Sequence, residues 1–115
     1  MLTIQKIHDA VIPLAERYGL DRIFLFGSYA RGEATEESDV DFRIDRGSMR
    51  GIEFGGLYED MREALNKDVD IMTTKQLDAG FLSTIREEEI LLYDRTRQGL
   101  RATGTHPSLF YSNAT

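Results

Sequence analysis

The sequence predicts a small α/β (α+β) domain in which helices alternate with short strands. The chain has 115 residues, 41% of them hydrophobic, which suits one compact domain rather than two. Apolar residues recur at helical spacing near the N-terminus, in residues 3–18. Short apolar runs rich in β-branched and aromatic residues follow and are typical of strands. A chain of this size buries roughly 65% of its unfolded surface, so it can hold a hydrophobic core.

The first half of the chain is predicted to contain one long helix and two strands. The apolar spacing in residues 3–18 predicts an amphipathic helix that ends at Gly19. Residues 22–26, RIFLF, predict a buried strand. A turn or short helix is expected over residues 27–31, and a second strand over residues 40–44.

The second half of the chain continues the alternation. A connection that contains glycine, residues 47–56, leads into a helix predicted over residues 57–65. Residues 69–72 predict a third strand, and residues 77–86 predict another helix. Residues 90–93 extend an apolar patch to which the pattern assigns no element type.

Charge is distributed unevenly along the chain and divides it into a domain and a tail. The formal net charge is -6, from 20 acidic and 14 basic residues. Residues 95–115 contain three arginines and no acid, so residues 1–94 carry -9. We therefore expect a domain over residues 1–94 and a flexible or non-native C-terminal tail over residues 95–115, with a partner-docking peptide as the alternative for the tail.

The same composition limits the classes of partner. An acidic domain repels a nucleic-acid backbone, so direct nucleic-acid binding is not expected. The chain has no cysteine and no apolar run of the roughly 20 residues that cross a bilayer, so we expect a cytoplasmic protein with no membrane partner.

Paired aspartates at the start of the second predicted strand point to a metal site. Asp39 and Asp41 are two residues apart, so they share one face of a strand and repel each other unless a cation lies between them. Oxygen ligands favour Mg²⁺ or Mn²⁺. A third carboxylate is expected from Asp70, although Asp68 on the same face remains an alternative. Three carboxylates can hold two ions about 3.5–4 Å apart for phosphoryl or nucleotidyl displacement.

A glycine–serine pair before the aspartates predicts a phosphate-binding turn. Gly27 lets a phosphate approach the backbone closely, and amides at the opening of the following helix point toward an anion. Ser28 adds a hydroxyl donor. Arg43 shares the face of the aspartates, where it contacts either a phosphate or a structural carboxylate. A surface salt bridge is the expectation for Arg31.

Together these residues resemble a known family. Gly27-Ser28, ten residues, then Asp39-Val40-Asp41 resemble the Gly-Ser-x10-Asp-x-Asp signature of the DNA polymerase β-like nucleotidyltransferase superfamily. The small size is similar to its minimal nucleotidyltransferase (MNT) group. The resemblance covers residues 4–93, including the third acidic strand at Asp70.

The resemblance implies a fold, a reaction and a set of roles. The fold is a small mixed β-sheet flanked by helices, and the reaction is Mg²⁺-dependent transfer of AMP from ATP to a hydroxyl. Asp39 and Asp41 would bind two metal ions, with Mn²⁺ as an alternative to Mg²⁺. Asp70 would hold the catalytic metal and help deprotonate the acceptor. Gly27 and Ser28 would grip the phosphates that leave as pyrophosphate.

The resemblance also implies a partner. Many MNT proteins are antitoxins of a helical HEPN-domain toxin, and they can AMPylate a tyrosine of that toxin. We therefore expect a protein adenylyltransferase that acts as a type VII-like antitoxin. The alternatives are a non-catalytic module that neutralises the HEPN partner by binding it, and, ranked lowest, a small-molecule nucleotidyltransferase of the aminoglycoside type.

Overall fold

The protein folds around a four-stranded mixed sheet. The computed structural model describes residues 1–97. The sheet has the order β3-β2-β1-β4. Its strands are β1 (Arg22–Phe26), β2 (Val40–Asp45), β3 (Val69–Thr73) and β4 (Ile90–Asp94). β1 pairs antiparallel with β2 and β4, whereas β2 and β3 are parallel. The mixed sheet implied by the resemblance is therefore confirmed.

The α-helices of the described chain are α1 (Ile4–Tyr18), α2 (Ser28–Arg31), α3 (Phe54–Leu65) and α4 (Ala79–Arg86). α1 begins where the Thr3 hydroxyl accepts a hydrogen bond from the Lys6 amide, and it ends at Gly19 in the left-handed conformation with φ 71°. α4 begins in the same way, because the Asp78 side chain accepts from the Phe81 amide. Short 3-10 turns precede α3 and follow β3 and β4.

The two faces of the sheet have different chemistry. Alternation along β1 and β2 places Ile23, Leu25 and Phe42 on one face, where they join a buried core. That core also contains apolar residues of α1 and α3, namely Ile7, Val11, Leu57 and Met61. The opposite face carries aromatic side chains of β1 and the charged residues of β2 and β3. The aspartates thus lie on the face that α1 and α3 leave uncovered.

Most predicted helices and strands are present, but some begin or end at other residues than predicted, because tertiary contacts determine those bounds. Residues 90–93 belong to β4, which pairs with β1 as a sheet strand. A four-residue apolar run has too little periodicity to predict this pairing. α3 begins at Phe54, earlier than the apolar pattern predicts, because the Glu53 side chain accepts the Arg50 amide at 2.8 Å and organises the preceding turn.

The C-terminal boundary is described only in part. Residues Arg95–Arg97 form a 3-10 turn after β4, and Arg95 Nη2 contacts Asp21 Oδ1 at 2.7 Å. Residues 98–115, which include most of the predicted tail, lie outside the described residues. The domain limits of 1–94 and 95–115 therefore stay predictions. Within residues 1–97, no helix combines the length and apolarity needed to cross a bilayer.

Candidate active site

Two aspartates face each other at the centre of the polar sheet face. The parallel register of β2 and β3 pairs Asp41 directly with Asp70. Burial, the negative charges of Asp70 and Asp39, and a hydrogen bond to Asp70 together raise the pKa of Asp41 from 3.8 to about 6. Asp41 and Asp70 are therefore adjacent, and Asp39, which lies exposed just before β2, is near enough for its charge to act on Asp41.

The register also separates Asp70 from its neighbour Asp68. The Asp68 carboxylate pairs with Arg62 Nη2 at 3.2 Å, and its carbonyl accepts the Val40 amide at 3.1 Å. Asp68 therefore makes contacts at the end of the β2–β3 pair, outside the Asp41 cluster, whereas Asp70 lies opposite Asp41. Of the two alternatives for the third carboxylate, the geometry favours Asp70.

The cluster has the donor chemistry of a magnesium site. Its candidate ligands are carboxylate oxygens, and the pKa of Asp41 is raised first by burial and then by the negative charges of Asp70 and Asp39, which a divalent cation would offset. Within residues 1–97, no three or more His, Cys, Asp or Glu side chains are arranged to enclose an ion by themselves. The aspartates fit Mg²⁺ as part of its coordination, with the remaining positions left to water or phosphate oxygens.

Gly27 brings the predicted phosphate-binding turn against this cluster. Its φ of 78° and ψ of -157° favour glycine, and an added Cβ would overlap Asp41 Oδ2 and lie 3.0 Å from Asp41 Cγ. Ser28 follows at the first position of α2 and is partly exposed. Because α2 has four residues, its dipole is small, and an anion here depends on individual amides and side chains.

Two charged residues adjoin this turn that the sequence did not assign to the site. The Gly27 amide donates to Glu88 Oε2 at 3.1 Å, and Arg31 Nη1 donates to the same oxygen at 2.8 Å. Arg31 also contacts Glu33 through Nε at 2.9 Å, and its charge lowers the pKa of Asp41. The salt bridge expected for Arg31 is present. The position of Arg31, three residues after Ser28, was the sequence signal that could have placed it in the site. No local sequence pattern indicated Glu88, which is 61 residues from Gly27.

Arg43 takes the structural alternative that the sequence left open. Its side chain is 3% exposed, and it donates to Glu89 Oε2 at 3.0 Å and Oε1 at 2.6 Å. Nη1 also donates to Thr74 Oγ1 at 2.7 Å, and the guanidinium lies 3.9 Å from the centre of the Phe24 ring. We correct the phosphate assignment of Arg43 on this ground, because its donors are committed to a buried carboxylate.

The fold and these residues match one known family along most of the chain. The family described as "Polymerase beta, Nucleotidyltransferase" matches residues 9–98, so the chain belongs to it. This membership confirms the resemblance seen in the Gly27-to-Asp41 signature and the predicted enzyme class, nucleotidyltransferase.

Similar proteins agree with this assignment. Protein adenylyltransferase MntA of Thermococcus cleftensis is 35% identical over 95 residues, which are 78% of this chain and 96% of that protein. A structure assigned as a minimal nucleotidyltransferase is 30% identical, with a TM-score of 0.67 over 76% of this chain and 90% of that one. A complex of tri-AMPylated Shewanella oneidensis HEPN toxin with MNT antitoxin shares the fold at 19% identity, with a TM-score of 0.61 over 96% of this chain and 82% of that one.

Proposed function

We propose that this protein is a Mg²⁺-dependent adenylyltransferase that moves AMP from ATP to a hydroxyl of a partner protein. The observation that carries the proposal is the direct pairing of Asp41 with Asp70, next to the Gly27 turn. In this arrangement, carboxylates that can bind a cation lie beside hydrogen-bond donors that can bind a phosphate. Membership of the nucleotidyltransferase family supports the same reaction class.

The residues take distinct roles in this proposal. Asp39, Asp41 and Asp70 would hold magnesium, two ions in the full set, with Mn²⁺ as a substitute. Bound magnesium would offset the negative charge of the triphosphate. Gly27 and Ser28 bind the phosphates that leave.

We assign Arg31, in place of Arg43, as the cation that contacts the phosphates. Arg31 shares the acceptor Glu88 Oε2 with the Gly27 amide, and its positive charge lowers the pKa of Asp41. Electrostatic positioning of this kind supplies most of the catalysis in phosphoryl transfer.

The transfer itself is a single displacement. The acceptor oxygen forms a bond to the α-phosphorus, the bond from that phosphorus to the bridging oxygen breaks, and pyrophosphate leaves. The acceptor proton passes to Asp70, which is exposed and lies opposite Asp41 in the register. An exposed carboxylate at this position is accessible to a side chain that another protein inserts.

The proposed acceptor is a tyrosine hydroxyl of a HEPN toxin, and the proposed role is that of an antitoxin in the cytoplasm. Two comparisons support this: the relative of 35% identity is named a protein adenylyltransferase, and a structure of the same fold is an MNT antitoxin with an AMPylated HEPN toxin.

A labelling experiment tests the reaction. The protein is incubated with ATP labelled at the α-phosphate, Mg²⁺ and the product of the adjacent gene. We expect label on that product, lost with Asp41→Asn and kept with Asp68→Asn, because Asp68 pairs with Arg62 outside the cluster. Label that persists in Asp41→Asn, or no transfer to any candidate acceptor, would overturn the proposal.

Toxin neutralisation gives a second readout. An Asp39→Ala/Asp41→Ala variant should fail to neutralise the toxin in cells if AMP transfer is required. Neutralisation equal to that of the wild type would instead support the non-catalytic alternative, in which the partner is inhibited by binding alone.

A further inference from the structure

A glutamate of the chain occupies the anion position of the Gly27 turn. Glu88 Oε2 accepts the Gly27 amide at 3.1 Å and Arg31 Nη1 at 2.8 Å. A backbone amide and a guanidinium thus converge on one negatively charged oxygen. A phosphate oxygen carries similar charge and accepts hydrogen bonds in the same way, so these donors suit it equally well.

The Glu88 side chain is not required to hold its own turn. The amides of Glu88 and Glu89 both donate to the Ile85 carbonyl, at 3.1 and 2.9 Å. Glu89 then anchors the turn to the sheet through its buried ion pair with Arg43. The Glu88 side chain is 22% exposed, so it can leave the Gly27 turn while the backbone stays in place.

Charge makes coexistence of Glu88 and a triphosphate unfavourable. The turn already lies against the Asp41 carboxylate, which Asp70 faces across the β2–β3 pair. A phosphate that accepts a hydrogen bond from the Gly27 amide would lie next to the Glu88 carboxylate, which accepts from the same amide. Like charges at this separation repel, and the shared donors can satisfy only one of them fully.

We infer that Glu88 is an internal competitor of the triphosphate: it holds the Gly27 amide and Arg31 in the free protein and lowers nucleotide affinity until a phosphate displaces it. This inference rests on the proposed function for the identity of the phosphate donor. Under this inference Glu88 sets nucleotide affinity without touching the reacting atoms. Arg31 exchanges its partner, from the Glu88 carboxylate to a phosphate oxygen.

Calorimetric titration with Mg²⁺ and a non-hydrolysable ATP analogue tests the inference. Glu88→Ala should lower the Kd by about tenfold, equivalent to about 1.4 kcal/mol, and Glu88→Gln by less, because glutamine keeps a neutral acceptor. Glu87→Ala is the matched control: it removes the same charge from an exposed position in the same turn and should change the Kd less than twofold. An unchanged or higher Kd for both Glu88 variants overturns the inference, since Glu88 would then position the site.

A second titration, with Mg²⁺ and tripolyphosphate, separates this inference from the proposed function. Tighter tripolyphosphate binding by the Glu88 variants supports the inference even if no AMP transfer is found. AMP transfer by the wild type without tighter binding by either variant contradicts the inference and leaves the proposed function intact. Absence of nucleotide and polyphosphate binding in every variant contradicts both. Thermal unfolding of each variant verifies that it is folded.

Discussion

Asp41 and Asp70 stand directly opposite each other across the parallel pair β2–β3, and Gly27 approaches Asp41 so closely that a Cβ would overlap its carboxylate. Three segments far apart in the chain therefore meet at one carboxylate. The result is a partly buried acid whose pKa is raised to about 6, on the uncovered face of the sheet.

Replacing Asp41 should stabilise the protein at neutral pH. Because the pKa of Asp41 rises from 3.8 to about 6 on folding, the folded state binds the proton more tightly than the unfolded state. The resulting penalty is absent well below pH 4, grows between about pH 4 and pH 6, and is complete above it. Asp41→Asn should therefore raise the Tm by several degrees at about pH 7.5 in chelator and by little at about pH 4. A gain that is equal at both values would contradict the electrostatic account.

Magnesium should stabilise the wild type more than variants of the aspartates in the Asp41–Asp70 cluster. A ligand that binds only the folded state stabilises it by RT ln(1 + L/Kd), where L is the free ligand concentration, and so raises the Tm. We expect added Mg²⁺ with an ATP analogue to raise the Tm at neutral pH, and chelator to remove the effect. Asp70→Asn should lose most of this shift, whereas Asp68→Asn should retain it, because Asp68 is paired with Arg62. Equal shifts in both variants would remove Asp70 from the site.

Gly27 and Gly32 differ both in backbone conformation, with ψ of -157° and 22°, and in what surrounds them, so their alanine substitutions should differ in cost. Both have positive φ, 78° and 75°, so alanine strains the backbone at either position. An added Cβ meets nothing within 4 Å at Gly32, whereas at Gly27 it overlaps Asp41. We expect Gly32→Ala to cost about 1 kcal/mol of unfolding free energy, and Gly27→Ala to cost clearly more and to abolish nucleotide binding. Denaturant unfolding and calorimetry measure the two effects, and similar losses for both variants would argue against the close approach.

The ion pair of Arg43 and Glu89 should matter for stability rather than for phosphate binding. Glu89→Ala leaves a buried guanidinium without its carboxylate, which costs about 3–5 kcal/mol in typical buried pairs. Asp68→Ala removes an exposed pair with Arg62 and should cost less than about 1 kcal/mol. Replacing both members, as in Arg43→Met/Glu89→Leu, should recover part of the loss. Such recovery with unchanged nucleotide affinity would support a purely structural Arg43, and a weakened affinity would contradict it.

Local patterns in the sequence determined most of the elements and part of the site. The spacing of apolar residues predicted α1 with its end at Gly19, and the strands that became β1, β2 and β3. The two-residue spacing of Asp39 and Asp41 predicted a shared strand face, but β2 begins at Val40, so Asp39 lies just before the strand and its role in the site stays a prediction. The run at 90–93 was too short to carry such a signal, and only pairing with β1 made it a strand.

The tertiary structure alone decided which distant side chains meet. Strand register placed Asp70 rather than Asp68 opposite Asp41. The buried pair with Glu89, 46 residues away, removed Arg43 from consideration as a phosphate ligand, and the Gly27 amide found its acceptor in Glu88, 61 residues away. Periodicity reports on neighbours within a turn or a strand, whereas these contacts depend on hydrogen-bond ladders and ion pairs between remote segments, which form only when the sheet assembles.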